Sequence, residues 1–271
     1  MKNGSDNKIV ELFRHANVSA KLVEVADSFE MKRGGQLSNL HIAYETWGEL
    51  NKDKSNVIVI FTGLSANSHV TSSQSDQAPG WWETMVGDGK AIDTSKYHVI
   101  CINTLGSCFG STSPVSINKK TSQPYRLTFP ELTVEDMANA SRLLLKKIGI
   151  NKIHILIGPS LGGMKALAFS VLHNTIVDNI ILISTATQAL PFAIALRSLQ
   201  REVIRKDPLW NNGFYSYEKP PLNGVRIARK IGMTSYRSAN EWVQRFGRKK
   251  SVENKINQNT FGIENTSFEF E

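Results

Sequence analysis

The sequence predicts an α/β protein: a mostly parallel sheet flanked by helices, followed by a helical cap. Three observations predict it. Short apolar runs rich in β-branched residues recur along the first two-thirds of the chain, as in strands buried on both faces of a sheet. Stretches with three-four apolar spacing fall between them, and strand–helix–strand order implies right-handed parallel units. After about Thr185 the strand-like runs stop and only helical periodicity continues.

The elements follow in order. Residues 38–46 (Ser-Asn-Leu-His-Ile-Ala-Tyr-Glu-Thr) alternate apolar and polar side chains, the pattern of a half-buried strand. Asn56-Val-Ile-Val-Ile-Phe61 and His98-Val-Ile-Cys-Ile102 are continuous apolar runs, and 153–157 and 180–183 repeat the type. Six core strands are expected in this chain. Val134, Met137, Ala138, Ser141, Leu144, Leu145 and Ile148 form one helical stripe. Thr133 suits its N-cap, Glu135 and Asp136 its first turn, and Gly149 its end. A second helix is expected over 161–173. Further helices are expected over 189–206, 222–232 and 238–248, with a loop over 211–221. The predicted division is a core over 1–186 and an incomplete helical cap over 187–271. The final twenty residues are rich in Asn and contain little that would pack by itself.

Composition narrows the class. With 271 residues, 41% hydrophobic and 21% charged, the chain is neither disordered nor collagen-like. Its two cysteines, Cys101 and Cys108, offer no zinc spacing and no disulfide framework, which fits a reducing cytoplasm. Charges over Met1–Glu11 leave no apolar signal segment, and the apolar runs are too short to span a membrane. The expectation is a soluble cytoplasmic protein with no membrane partner. Net charge is +8, with residues 1–187 holding 18 Lys/Arg against 16 Asp/Glu and residues 188–271 holding 14 against 8. The excess is scattered over Arg197, Arg201, Arg205, Arg226, Arg229 and Arg237, with one cluster at Arg248-Lys-Lys250. No aromatic-basic signature accompanies it, so a solvated helical surface or a phosphate-bearing ligand is expected rather than nucleic acid.

One motif carries chemistry. Gly158-Pro-Ser-Leu-Gly162, followed by Gly163, fits G-x-S-x-G with a buried strand before it and a helix after it. A serine on such a turn is held in a strained conformation with its hydroxyl above the sheet. The backbone N–H of Leu161 then faces any oxyanion forming on an attacked carbonyl. A second donor should come from the loop after an earlier strand, the place of Thr62-Gly-Leu-Ser-Ala66. Other clusters carry none. Gly87-Asp-Gly-Lys90 is not a P-loop, and His15, His41, His69, His98 and His154 lack metal-ligand spacing. His154 is read as a hydrogen-bonded core residue, Cys101 as core, and Cys108 as a loop thiol with no base.

At this point the sequence resembles the homoserine O-acetyltransferases and their O-succinyltransferase relatives, of the α/β-hydrolase superfamily. The resemblance runs from about Leu22 to the last residue. It is carried by 43–48 (Ala-Tyr-Glu-Thr-Trp-Gly), Gly80-Trp-Trp-Glu83, Gly89-Lys-Ala-Ile-Asp-Thr94, 99–103, 105–112 and Gly158-Pro-Ser-Leu-Gly-Gly-Met-Lys-Ala-Leu167, then by Asp207-Pro-Leu-Trp-Asn211 and Arg245-Phe-Gly-Arg248. It implies an α/β-hydrolase core with a helical cap, and ping-pong acyl transfer with Ser160 as nucleophile. Acetyl-CoA would be the donor and L-homoserine the acceptor, in methionine biosynthesis, with no permanently bound cofactor and no metal. The backbone N–H groups of Leu64 and Leu161 match the oxyanion positions. Arg201 matches a family arginine that holds the homoserine carboxylate, a contact suited to its planar fork. A homodimer is implied for the complete family member.

Departures are also present. Pro159 and Leu161 replace the family's glycine and methionine, and Thr62 replaces a histidine. The triad order Ser, Asp, His requires an acid and a base later in the chain. The only histidine after Ser160 is His173, well along the exit helix, and Asp178 and Asp207 lie at a strand start and in the cap. None of these fits. On the order of a hundred residues, with the last strands and the triad Asp and His, are expected to be missing. The chain alone is then expected to be nearly inactive, with its last strand an uncovered edge. O-succinyl transfer to homoserine or serine, a serine esterase, and a non-catalytic fragment stay open as alternatives.

Overall fold

A computed structural model describes residues 19–216 and 218–245. The charged start Met1–Glu11, the Arg248-Lys-Lys250 cluster, the end of the 238–248 helix with most of the Arg245–Arg248 stretch, and the final twenty residues lie outside the described residues. The chain divides into two compact units, Met1–Gln188 and Ala189–Glu271.

The first unit is built on six strands: β1 (Lys21–Glu30), β2 (Gln36–Trp47), β3 (Val57–Phe61), β4 (His98–Ile102), β5 (Ile153–Pro159) and β6 (Val177–Ile183). They form one sheet in the order β1-β2-β4-β3-β5-β6. The pairs β4–β3, β3–β5 and β5–β6 are parallel, with Val59 opposite Ile100 and Leu156, and Ile181 opposite Ile157. The pairs β1–β2 and β2–β4 are antiparallel. β1 is the strand that sequence periodicity does not reveal. A register shift between Glu24 and Ala26 breaks its alternation, and most of its side chains are exposed.

Alternation along the central strands sorts the core onto two faces. Val57, Val59, Phe61, Ile100 and Ile102 face helices α1 (Val134–Lys147) and α2 (Leu161–Leu172), meeting Ala138, Leu144, Leu145 and Phe169. Ile58, Ile60, Val99, Cys101 and Ile157 point the other way, onto Trp47, Val70, Val86 and Ile92. Much of the cover on that second face comes from the long connection between β3 and β4. Thr133 caps α1 reciprocally with Asp136, whose carboxylate also accepts the Lys32 N–H at 2.8 Å and so ties the β1–β2 turn to the helix. β6 is an edge strand, with Ile180, Ile181 and Leu182 between 38% and 44% exposed.

The second unit holds α3 (Pro191–Lys206), α4 (Leu222–Tyr236) and α5 (Ala239–Arg245), with a 3-10 turn over Pro208–Gly213. Asp207 accepts the N–H groups of Leu209 and Gly224 at 2.9 and 2.8 Å, joining the end of α3 to the start of α4. Gln200 donates to the Ala228 carbonyl at 2.7 Å across the same pair. Among the described residues, no helix is long and apolar enough to cross a membrane.

Candidate active site

β5 delivers the chain to Ser160 and α2 leaves it within one residue. Ser160 has φ 52° and ψ −120°, a conformation that L side chains seldom adopt. Hydrogen bonds on both sides of the residue hold it there. Its N–H donates to the Ile183 carbonyl at 2.9 Å. Its carbonyl accepts from the N–H groups of Gly163 and Met164 at 2.9 and 3.2 Å, and from Thr185 Oγ1 at 2.8 Å. The glycines around it are steric necessities. A Cβ on Gly158 would lie 2.3 Å from the Gly162 carbonyl oxygen, and one on Gly162 would lie 2.2 Å from that of Phe61. Gly163 leaves room for the Thr185 methyl, which a Cβ would meet at 2.5 Å. Pro159 brings no N–H, and the donor facing Ile183 is that of Ser160, so the proline leaves no bond unmade. Ser160 is thereby exposed at the carboxyl edge of the sheet.

The loop after β3 lies beside it. A Cβ on Gly63 would sit 3.8 Å from the Pro159 carbonyl oxygen, and Leu64 is 61% exposed. Thr62 is fully buried, its Oγ1 3.2 Å from Thr104 Oγ1 at the end of β4. Ser160, Leu161 and the Leu64 loop therefore share one edge, on the adjacent strands β5 and β3. Arg201 lies exposed on α3 of the second unit.

The three later residues weighed as triad acid or base are engaged elsewhere. His173 caps α2 and contacts Asn139 Oδ1 at 3.1 Å, with burial and the nearby Arg142 and Lys146 charges lowering its pKa. Asp178 pairs with Lys152 at 3.3 Å, and Asp207 is taken up by the Leu209 and Gly224 N–H groups. Among the described residues, Ser160 Oγ has no hydrogen-bond partner, and no group of three or more His, Cys, Asp or Glu could hold a metal ion. Burial pushes the Cys101 thiol well up, whereas Cys108 is exposed. His154 departs from its expected role as a hydrogen-bonded core residue. It is only half-buried, and its ring stacks on Tyr97 with centroids 5.7 Å apart.

Two features escape the sequence reading. Lys165 on α2 is completely buried and, among the described residues, has no hydrogen-bond partner, its Nζ 4.0 Å from the centre of the Phe61 ring. Burial pulls its pKa down to about 7. Its place three residues after Gly162 and four before Phe169, both buried, is the signal that it faces inward. The other is a buried contact between Glu45 of β2 and His69 of the β3–β4 connection, at 2.9 Å.

Comparison with known proteins gives consistent results. The profile of a family described as the alpha/beta hydrolase fold matches residues 56–268. A serine O-succinyltransferase of Xanthomonas oryzae pv. oryzae is 52% identical over 236 residues, covering 87% of this chain and 59% of that protein. The crystal structure of homoserine O-acetyltransferase from Bacillus anthracis is 31% identical with TM-score 0.78, over 86% of this chain and 64% of that one. The structure of esterase E22 is 31% identical with TM-score 0.77, over 89% of this chain and 69% of that one. The chain thus spans about 59% of the length of the Xanthomonas relative.

Proposed function

Because this chain belongs to the α/β-hydrolase fold family, we propose that it carries the nucleophile half of an acyl-CoA-dependent O-acyltransferase acting on the hydroxyl of serine or homoserine. The observation that carries this reading is Ser160, held left-handed between β5 and α2 beside the Leu64 loop. Ser160 Oγ adds to the thioester carbonyl, its proton passes to a base, and the C–S bond breaks. CoA leaves as the thiol. The acceptor hydroxyl then adds to the acyl-serine ester, and Ser160 regains a proton. The N–H groups of Leu64 and Leu161 stabilise the two oxyanions, and Arg201 takes the acceptor carboxylate. Acyl-CoA is a substrate here, and no resident cofactor is required. A succinyl donor and a serine acceptor stand ahead of acetyl and homoserine, because the relative at 52% identity bears that name.

His173 is not the base, since it lies at the far end of α2 on Asn139. The 271-residue chain by itself should then show only the roughly 10³–10⁴-fold acceleration over water left when a triad loses one member. The test is thiol release from succinyl-CoA and acetyl-CoA, with serine or homoserine, with and without added imidazole as a substitute base. Imidazole-dependent, acceptor-dependent release that Ser160→Ala abolishes supports the proposal. Equal rates in both proteins refute it. A second reading, a serine esterase, is favoured by the likeness to esterase E22. It predicts hydrolysis of simple acyl esters at Ser160 with no acceptor present.

A further inference from the structure

The Glu45–His69 contact belongs to a buried ionisable network that the acyl-transfer steps leave unused. Glu45 is 2% exposed and His69 7%. The Glu45 carboxylate accepts from Ser68 Oγ at 2.8 Å, Ser19 Oγ at 2.5 Å and His69 Nδ1 at 2.9 Å. The other ring nitrogen, Nε2, lies 2.7 Å from the Ala78 carbonyl oxygen. A carbonyl oxygen holds no hydrogen, so Nε2 must donate one. A proton must also lie between Nδ1 and the carboxylate, or two lone pairs would face each other at hydrogen-bond distance. The pair therefore stores one proton more than a neutral imidazole and a free carboxylate would.

This network closes one end of a short arc. Thr62 fixes the near end of the β3 loop through β3 itself and Thr104. Ser68, fully buried, and His69 fix the far end to β2. Residues 63–67, with Leu64 among them, span the interval. The anchor extends further along the chain. The Trp81 N–H donates to the His69 carbonyl at 3.3 Å and the Trp81 indole to the Asn67 carbonyl at 2.9 Å. Gly80 permits the crossing, because a Cβ there would meet Thr71 N at 2.2 Å.

We propose that Glu45, Ser68 and His69 are positioning residues for the 63–67 loop, holding it through their shared proton, so that the placing of the Leu64 N–H beside Ser160 depends on the protonation of this pair. The inference rests on the reading of Leu64 as an oxyanion donor. The groups facing His69 are Glu45 from β2, Asp76 from its own loop with Oδ2 4.0 Å from Nδ1, and the Trp47 ring with centroids 6.4 Å apart. Cys101, the cross-strand partner of Glu45, stays a thiol because burial and the Glu45 charge raise its pKa. Burial disfavours a charged His69. The Ala78 carbonyl and the two carboxylates outweigh it, and His69 lies above its ordinary 6.5. A raised folded value means the anchor is complete below the ordinary histidine range and is lost as pH rises through the folded value.

The experiment is a pH titration of the ¹⁵N-labelled 271-residue chain by long-range ¹H–¹⁵N spectroscopy, His69 being identified by its absence in His69→Gln. Both ring nitrogens should be protonated at pH 6, with a midpoint above that of a free histidine. Glu45→Gln should lower the midpoint by at least about one pH unit, a tenfold loss of proton affinity. The Leu64 amide and the Trp81 indole should shift with the same midpoint in the unsubstituted chain. Should Glu45→Gln fail to fold, Ser68→Ala serves instead. It takes a donor from the carboxylate, leaves more of its charge to the His69 ring, and should raise the His69 midpoint. A singly protonated ring at pH 6, a midpoint indifferent to these substitutions, or Leu64 and Trp81 signals that ignore the titration would overturn the proposal. None of these readouts uses an acyl donor. An anchor that titrates as described in a chain that never acylates Ser160 would therefore refute the proposed function and leave the anchor standing.

Discussion

Lys165 makes the stability of the first unit depend on pH in an unusual direction. Its amine is completely buried, has no hydrogen-bond partner among the described residues, and is held near pKa 7 rather than its ordinary 10.5. Between those values the unfolded chain binds the proton and the folded chain releases it, so folding is disfavoured in proportion to the proton lost. The penalty is full below about pH 7 and fades as pH rises toward 10.5. Integrating the linkage relation between the two values gives a cost of about 4 kcal/mol at pH 7, falling to about 2 kcal/mol at pH 9. The Phe61 ring face, 4.0 Å from Nζ, favours the charged form and reduces the pH 7 figure by roughly 0.5–2 kcal/mol, while at pH 9, where the folded amine is mostly neutral, it changes little.

Other groups titrate in the same range, so the perturbation is a comparison between Lys165→Met and the unsubstituted chain, in which they cancel. Methionine keeps the length of the stem and removes the charge. Urea unfolding followed by circular dichroism should find Lys165→Met more stable by about 2–4 kcal/mol at pH 7, with the gap smaller by about 1–2 kcal/mol at pH 9. A gap that stays constant with pH would show that Lys165 is not neutral in the fold. A less stable Lys165→Met would show that the ammonium has a partner or that its site cannot accept a thioether.

Gly162→Ala should fail to form the Ser160 turn, since its Cβ would come within 2.2 Å of the Phe61 carbonyl oxygen. A loss of about 1–3 kcal/mol or more in urea unfolding is expected, and unchanged stability would contradict the packing described. Glu83 accepts from Ser72 N, Ser72 Oγ and Gly80 N, which lower its pKa to about 2. Its contribution is present above its ordinary pKa of 4.5 and lost as pH falls toward 2, so the Tm difference between Glu83→Gln and the unsubstituted chain should close over that window. A difference that persists at pH 2 would assign the effect to shape rather than charge. Ile181→Lys, on the edge strand β6 where Ile181 is 44% exposed, should reduce self-association measured by sedimentation. Identical sedimentation of both proteins would place association elsewhere.

What sequence pattern could reveal depended on whether the physical requirement lay within one element. β3, β4 and β5 are buried on both faces, so each is a continuous apolar run, and the helical stripe from Val134 to Ile148 follows from one packed face. The Ser160 turn was legible for a similar reason. Its steric demands fall on Gly158 and Gly162, two residues either side of the serine they strain. β1 was not legible, because its bulge shifts the alternation partway along. The residue type of Lys165 carries no sign of burial, and only its spacing from Gly162 and Phe169 places it inside.

The family motifs away from the serine illustrate the same limit from the other side. Gly80-Trp-Trp-Glu83 and Gly89–Thr94 stand out as specific strings, yet their carboxylates act as turn locks. Glu83 takes Ser72 and Gly80, and Asp93 takes Gly89, Ser95 and Lys96. They hold the long β3–β4 connection against the second face of the sheet, where Val70, Val86 and Ile92 complete the core. The Leu64 loop is the first stretch of that connection, so its position beside Ser160 depends on locks up to thirty residues downstream as well as on Glu45 in a preceding strand. A motif search reads each of these strings separately. The candidate site depends on their closing together, through contacts such as Glu45–His69 between residues 24 apart on different elements, and no periodicity in the chain encodes such a contact.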